Sequence, residues 1–144
     1  MILLDVNILV YAYVPDSPHH AVARTWLERR LGETARVGIP WNVLLGFLRV
    51  VSNARIVSTP ASLPEAWKVI ESWLERPNVW IPAPGDAHAK ILAGVLRDAS
   101  VSSHVMDADL AALAIEHGLN LCSADRGFSR YRGLRWENPL DPGD

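Results

Sequence analysis

The sequence contains a single cysteine, Cys122, among its 144 residues. One cysteine can form neither an internal disulfide nor a cysteine-based zinc cluster, so the fold must depend on packing. No apolar run approaches the roughly 20 residues that a helix needs to cross a bilayer, and the apolar N-terminus lacks the basic flank of a secretory leader. These absences lead to the expectation of a cytoplasmic protein with no membrane segment.

Positive charge is also scarce. The formal net charge is −2, and lysine accounts for only two of the 14 basic residues. Four arginines nevertheless lie near the C-terminus, at Arg126, Arg130, Arg132 and Arg135. Because guanidinium groups suit phosphate oxygens, the cluster predicts a rim that binds a polyanion, with Arg126 and Arg130 as candidate contacts. An ordinary solvated surface is the alternative interpretation.

Apolar residues, by contrast, make up 49% of the chain, and six residues are tryptophan. A globular chain of this length buries a substantial core within one domain. No internal repeat or linker interrupts the sequence, so residues 1–144 are interpreted as a single domain.

The spacing of apolar residues predicts short strands that alternate with helices. The predicted strands are residues 2–5, 37–39, 79–81, 119–122 and 134–136. The predicted helices are residues 7–14, 19–31, 41–51, a helix that starts after Ser62, then 86–96, 105–117 and 127–131. Such alternation is typical of an α/β fold. We therefore expect a three-layer sandwich in which helices flank a mainly parallel sheet of four to five strands.

The helix predicted at residues 41–51 is strongly apolar. Its leucines, Leu45 among them, are expected to face the core. The tryptophans at helical spacing, such as Trp67, carry the same expectation. Trp41 is different, because at the start of its helix it could instead flank a functional site.

Three aspartates stand where a parallel sheet gathers functional side chains. Asp5 ends the first predicted strand, and Asp125 follows the fourth by three residues. Asp107 lies in the first turn of the helix that leads into that fourth strand. Ligands of such sheets bind outside the carboxyl ends of the strands, so we expect the three acids to meet at one edge.

Their mutual repulsion gives these acids a reason to bind a cation. Two carboxylates about 4 Å apart repel by roughly 4 kcal/mol at an effective dielectric constant near 20. An all-oxygen donor set favours Mg²⁺ or Mn²⁺ over zinc, and such a cation activates water for attack on a phosphodiester. The sequence thus predicts a catalytic group of Asp5, Asp107 and Asp125, with Asp5 and Asp107 as the metal ligands.

Each acid also has a simpler interpretation. Asp5 and Asn7 could cap the first helix, and Asp107 and Asp109 could be ordinary helix-start acids. Asp109 lies about 200° around the helix from Asp107, which favours a solvated residue or at most an outer ligand.

The segment around the fourth strand leaves similar choices open. Asp125 could belong to a turn with a local ion pair to Arg126. Ser123 could be a turn hydroxyl, or it could bind the Asp5 carboxylate or a metal-bound water.

Three sequence segments resemble the motifs of PIN-domain ribonucleases. They are Leu-Leu-Asp-Val-Asn at 3–7, Met-Asp-Ala-Asp-Leu-Ala-Ala-Leu-Ala at 106–114 and Leu-Cys-Ser-Ala-Asp-Arg-Gly-Phe at 121–128. The chain as a whole looks most like VapC-type toxins of bacterial toxin–antitoxin pairs, especially mycobacterial ones.

This resemblance implies Mg²⁺- or Mn²⁺-dependent cleavage of RNA, a homodimer, and inhibition by a small VapB antitoxin. It makes Asp5, Asp107 and Asp125 the counterparts of the family's site acids. Asn7 and Ser123 match its common polar accessories.

The sequence departs from the family at the start of the third helix, where many PIN domains carry another acid, usually Glu. No acid lies between Glu33 and Glu65, and Asn42 is the residue that could supply a neutral oxygen there. A missing carboxylate is expected to weaken metal binding. The alternative is therefore a catalytically weak module that binds RNA or the antitoxin.

A phospho-acceptor receiver domain is a further alternative, since it is also an α/β domain with acids at strand ends. It is disfavoured because its chemistry needs a lysine at a strand end near the acids. The only lysines, Lys68 and Lys90, lie in predicted helices.

Overall fold

Five short strands form one sheet in the structure, which is a computed structural model that describes residues 1–141. The strands are β1 (Ile2–Leu4), β2 (Val37–Gly38), β3 (Val79–Trp80), β4 (Asn120–Cys122) and β5 (Trp136–Glu137). Their order across the sheet is β3-β2-β1-β4-β5, and each neighbouring pair is parallel. The predicted α/β fold is confirmed, with β1 at the centre of the sheet.

Six α-helices surround this sheet. They are α1 (Val6–Tyr13), α2 (His20–Gly32), α3 (Trp41–Val51), α4 (Leu63–Leu74), α5 (His88–Val95) and α6 (Val105–His117). Three 3₁₀ segments, Leu96–Asp98, Ser102–His104 and Arg126–Arg130, lie between them or follow β4. Among residues 1–141, none of the helices has the length and apolar character needed to traverse a lipid bilayer.

Helix boundaries follow their local signals where the sequence carries clear ones. The Ser62 hydroxyl accepts a hydrogen bond from the Glu65 amide at 3.2 Å and so caps α4. Gly118 ends α6 in the left-handed region, at φ +65°, where a side chain would be strained. The helix expected at 86–96 begins only at His88, because residues 85–88 form a turn in which the His88 amide donates to the Gly85 carbonyl.

The core lies between the central strands and the helices that cover them. Leu3, Leu4 and Leu121 are fully buried, and so are four alanines of α6, namely Ala108, Ala111, Ala112 and Ala114. Small side chains let a helix backbone approach the sheet closely. Helix α6 is therefore held firmly against the strands, and its first turn lies near their carboxyl ends.

Two expectations about the core are wrong. Leu45 is 56% exposed and Trp67 is 37% exposed. Helices α3 and α4 meet through other residues, such as Phe47 and Trp73, whose rings pack edge-to-face with centroids 4.8 Å apart. Leu45 and Trp67 therefore remain on the outer side of this helix pair. Trp41 is also exposed and stacks on Trp67, with ring centroids 6.4 Å apart.

Candidate active site

The site begins where β1 and β4 end side by side. Leu4 pairs with Cys122 in the parallel register, and the Asp5 amide donates to the Cys122 carbonyl at 3.1 Å. Asp5 and Ser123 are the first residues after their strands, so the register places them next to each other. Distant parts of the sequence thus supply adjacent side chains at the carboxyl edge of the sheet.

The Asp5 carboxylate is only 8% exposed and is held by three hydrogen bonds. Its Oδ1 accepts from the Val6 amide at 2.7 Å. Its Oδ2 accepts from Ser123 Oγ at 2.7 Å and from Asn7 Nδ2 at 2.9 Å. Each carboxylate oxygen has two lone pairs, so Oδ1 keeps one for another donor or a cation. Asp5 therefore caps α1, as the simpler interpretation held, and is still able to bind a ligand.

Ser123 is the centre of this network. Its hydroxyl donates to Asp5 and accepts from Asn7 Nδ2 at 3.0 Å and from the Asp125 amide at 3.0 Å. Asn7 completes the link because its Oδ1 accepts from the Ala124 amide at 3.2 Å. Asn7 and Ser123 therefore tie the end of β1 to the segment that carries Asp125.

The two other acids approach from different elements. Asp125 is exposed and precedes the 3₁₀ segment Arg126–Arg130, whose Gly127 amide donates to Asp125 Oδ1 at 2.7 Å. Asp107 is half-buried in the first turn of α6. Both lie close enough to Asp5 for their charges to act on its pKa.

These environments raise the pKa of two of the acids. Burial raises the pKa of Asp5, the charges of Asp107 and Asp125 raise it further, and the bonds from Ser123 and Val6 oppose them in part. Burial and then the charge of Asp125 raise the pKa of Asp107. The nearby His104 and Arg130 partly offset that rise. Asp5 and Asp107 therefore lie in an environment in which negative charge is unfavourable without a counterion.

The donors present suit a small hard cation. Within residues 1–141, no three Asp, Glu, His or Cys side chains are close enough together to hold a metal ion by themselves. Mg²⁺ is commonly bound through one or two carboxylates, with water or substrate phosphate in the remaining positions. Asp5 and Asp107 are the two candidates for such carboxylates, because the charge of Asp107 acts on Asp5.

Asn42 adds a second observation that fits a ligand. Its Oδ1 is buried, and no hydrogen bond reaches it from the described residues. Asn42 lies four residues before Gly46 on α3, so the two share one helix face. A side chain at Gly46 would contact Val6, with its Cβ 3.3 Å from Val6 Cγ2. Asn42 therefore lies on the side of α3 that packs against the start of α1. Helix α1 begins at Val6, the residue that follows Asp5.

Asp109, a candidate accessory, lies against another helix. Its Oδ1 is 2.8 Å from His88 Nε2, and His88 Nδ1 is 3.1 Å from Glu116 Oε2. The Asp109 side chain is 34% exposed, so it is partly solvated and is also paired with His88, a contact that the sequence did not predict. The contact arises because α5 packs along this face of α6 and presents His88 to both acids.

The two arginines predicted to contact substrate have different surroundings. Arg130 is half-buried, and its charge acts on Asp107. Arg126 is 81% exposed and lies 3.5 Å from the Asp141 carboxylate. The Arg126 guanidinium therefore contacts Asp141 rather than Asp125, in contrast to the local ion pair that the sequence suggested.

Sequence reasoning missed two aromatic residues that contact the site. Trp136 Nε1 donates to the Ser123 carbonyl at 3.0 Å. The Tyr131 hydroxyl donates to the His104 carbonyl at 3.3 Å, immediately before α6. Neither residue lies in a recognisable motif, and both contacts depend on the tertiary arrangement.

With this geometry established, comparison with known proteins assigns the family. The model of the PIN domain matches residues 2–134. The chain belongs to the PIN-domain family. It is 40% identical to ribonuclease VapC43 of Mycobacterium tuberculosis, over 98% of this chain and 97% of that protein. Ribonuclease VapC33 of the same species is 34% identical, over 97% of this chain and 99% of its own length.

Solved structures agree on the fold. A VapBC2 complex from Rickettsia felis, bound to a promoter DNA fragment, matches with a TM-score of 0.68 at 20% identity, over 96% of this chain and 98% of that one. A FitAcB structure from Neisseria gonorrhoeae matches with a TM-score of 0.61 at 20% identity, over 96% of this chain and 98% of that one. This PIN-domain chain therefore shares its architecture with proteins of quite different sequence.

Proposed function

We propose that this PIN-domain protein is a metal-dependent ribonuclease that hydrolyses RNA phosphodiester bonds and acts as the toxin of a VapBC-type toxin–antitoxin pair. The observation that carries the proposal is the hydrogen-bonded Asp5 carboxylate at the end of β1, which lies near enough to Asp107 and Asp125 for their charges to act on it. Mycobacterial relatives that match nearly the whole chain carry the name VapC ribonuclease. The site chemistry and these names support the same reaction class.

The cation would be held by Asp5 and Asp107, with the buried Asn42 Oδ1 as a neutral oxygen nearby. The oxygen-only donor set supports Mg²⁺ or Mn²⁺. When bound, such an ion supplies neutralisation of phosphate charge and activation of water. It would also offset the burial and the mutual repulsion that raise the pKa values of the two acids.

The protein's own side chains have separate tasks in this scheme. Asp5 is oriented by three donors before any ligand arrives, so little reorganisation is needed on binding. Asp125 Oδ1 is occupied by the Gly127 amide, and no hydrogen bond from residues 1–141 reaches its Oδ2. That oxygen is available to orient the attacking water or to accept its proton.

Arg130 is the arginine best placed to hold the RNA backbone. Its guanidinium carbon lies 5.8 Å from the centre of the Tyr131 ring, and its charge acts on Asp107. A guanidinium held beside the acids can bind a phosphate oxygen of the substrate. Arg126, being far more exposed, would contribute mainly to the long-range attraction of RNA.

A VapB-type antitoxin is the proposed protein partner, and a homodimer is the proposed assembly. An exposed apolar patch lies on α3 and α4 next to Asn42, and it consists of Trp41, Leu45, Leu63 and Trp67. Exposed apolar patches of this kind commonly mark protein interaction surfaces. A partner seated there would lie at the edge of the acidic centre and obstruct it.

A second candidate is a PIN-like module that binds RNA or the antitoxin with little catalysis. It is favoured by two observations: position 42 carries an amide where the family often has a carboxylate, and residues 1–141 contain no ready-made cluster of three acidic, His or Cys ligands. A site with less negative charge would bind its cation less tightly, and the protein would cleave RNA slowly.

The test is cleavage of a mixed pool of structured RNAs by the purified protein in Mg²⁺ or Mn²⁺, with EDTA as the control. We expect metal-dependent fragments from the wild type and none from Asp5→Asn or Asp107→Asn. Cleavage that persists in EDTA or in both variants would overturn the metal assignment. A wild-type protein that binds RNA without cleaving it, and an Asn42→Glu variant that does cleave it, would favour the binding module.

A further inference from the structure

Tyr131 connects two segments that carry different acids of the site. It directly follows the 3₁₀ segment Arg126–Arg130, which Asp125 precedes. Its hydroxyl donates to the carbonyl of His104, the residue just before α6, which carries Asp107 in its first turn. Among residues 1–141, no other hydrogen bond joins residues 123–131 to residues 102–108.

The ring of Tyr131 is fixed by its surroundings. The residue is 3% exposed, its ring centroid lies 6.0 Å from that of Phe128, and the Arg130 guanidinium covers it at 5.8 Å. Its amide donates to the Phe128 carbonyl at 3.2 Å. A buried side chain with this packing has little freedom, so its hydroxyl holds a defined position relative to α6.

Electrostatics supports the same placement. Burial and then the charges of Asp107 and Asp125 raise the pKa of the Tyr131 hydroxyl, and Arg130 offsets part of this effect. The hydroxyl therefore lies within the field of both acids. It stays protonated at neutral pH and remains a hydrogen-bond donor.

We propose that Tyr131 is a positioning residue that sets the separation of the Asp107 and Asp125 carboxylates through its hydrogen bond to His104. The inference rests on the proposed function, because its consequence is the affinity for the divalent cation that Asp107 would hold together with Asp5. The first turn of α6 has no side-chain cap at His104, so this bond is an anchor for that end of the helix. Without it, Asp107 would be held less closely beside Asp125.

The experiment compares Tyr131→Phe with wild type in the full chain. Phenylalanine keeps the ring and its packing and removes only the hydroxyl. We expect the Mn²⁺ dissociation constant, measured by calorimetry, to rise about fivefold, the equivalent of one ordinary hydrogen bond. The rate of RNA cleavage should return to near the wild-type value once Mn²⁺ is saturating, and the metal-free melting temperature should fall by less than about 4 °C.

Tyr13→Phe is the matched control, because Tyr13 ends α1, and its ring packs on Phe47 rather than near the acids. Its Mn²⁺ affinity should equal that of the wild type. Wild-type affinity in Tyr131→Phe would overturn the proposal and leave the proposed function standing. A lost fold, or a cleavage defect that saturating Mn²⁺ does not repair, would overturn it in favour of a general structural role. Absence of Mn²⁺ uptake by the wild type would overturn both.

Discussion

Ser123 Oγ donates a hydrogen bond to Asp5 Oδ2 at 2.7 Å, although the two residues are 118 positions apart. Ser123 is fully buried and follows β4, whereas Asp5 follows β1. The same hydroxyl accepts from Asn7 and from the Asp125 amide. One small side chain therefore sets the orientation of one acid and the backbone position of another.

Ser123→Ala should consequently reduce both stability and activity. The substitution leaves the buried Asp5 oxygen with one donor fewer and the Asp125 amide without its acceptor. Loss of buried hydrogen bonds of this kind costs about 1–3 kcal/mol of unfolding free energy. Urea unfolding followed by tryptophan fluorescence measures that cost, and a cleavage assay in Mn²⁺ measures the activity.

Ser72→Ala provides the comparison for this substitution. The Ser72 hydroxyl is exposed on α4 and donates to the Val69 carbonyl. Its removal should change the unfolding free energy by no more than about 0.5 kcal/mol. Equal stability of the Ser123 and Ser72 variants would contradict the role assigned to Ser123.

Asp107→Asn should stabilise the metal-free protein while abolishing RNA cleavage. Burial and the charge of Asp125 disfavour the ionised Asp107 carboxylate, and a neutral amide of the same shape escapes both effects. We expect the melting temperature in EDTA to rise by about 2 °C. The addition of Mn²⁺ should then stabilise the wild type but not the variant.

Asp86→Asn is the control for that experiment, because Asp86 is exposed in the turn before α5. It should cleave RNA as the wild type does and melt at nearly the same temperature. The assignment of Asp107 fails if Asp107→Asn remains active, or if its melting temperature in EDTA drops.

Acidification should have opposite effects on metal binding and on metal-free stability. The pKa values of Asp5 and Asp107 are raised above 3.8, so protons displace the cation as the pH falls through the raised values. In the metal-free protein, the folded state binds these protons more tightly than the unfolded state does. The contribution of the two acids to stability therefore grows as the pH falls through the folded pKa values, and it levels off below 3.8.

Calorimetry with Mn²⁺ and urea unfolding, both carried out from about pH 8 to about pH 4, check this pair of effects. Glu116 behaves in the opposite way. Burial raises its pKa, but the hydrogen bonds from the Gly85 amide and His88 and the charges of His88 and His117 outweigh burial and lower the pKa from 4.5. The stabilisation from Glu116 is therefore lost only as the pH falls through that lower value. The pH profile of unfolding free energy is also measured for an Asp5→Asn, Asp107→Asn double variant. Subtracting it from the wild-type profile leaves the contribution of the two site acids. A Mn²⁺ affinity that does not change with pH would contradict the raised pKa values.

The sequence predicted most about this molecule where local chemistry and topology agree. The rule that parallel strands end at a common edge selects Asp5, and it needs only the strand assignments. Binding of Ser123 to the Asp5 carboxylate is one of the alternatives that the sequence offers, and the structure shows that bond. Helices α3 and α6 were delimited correctly because apolar spacing and the terminal Gly118 mark their ends. These features follow from signals local to each helix or strand and from the rule for parallel strands.

The failures have an equally physical origin. Apolar spacing predicts that Leu45 and Trp67 lie on apolar helix faces, but it does not show which helix covers each face. Asp109 meets His88 only because α5 packs against α6. The bond between Tyr131 and His104 likewise requires two loops to meet. No pattern of spacing encodes such contacts between distant segments.

Asn42→Glu should increase the affinity of the site for a divalent cation. The buried Asn42 Oδ1 has no hydrogen-bond donor among residues 1–141 and lies on the face of α3 that packs against the start of α1. A carboxylate there adds a negative oxygen donor to a centre that already holds Asp5. We expect calorimetry to show about tenfold tighter Mn²⁺ binding, since cation affinity follows the number of charged ligands.

Asn42→Gln separates charge from length, because it extends the side chain as Glu does but keeps it neutral. Its Mn²⁺ affinity should stay close to that of the wild type. Equal gains in the Glu and Gln variants would mean that reach rather than charge limits the site. If neither variant binds Mn²⁺ more tightly, Asn42 does not face the cation, and the start of α3 has no part in metal binding.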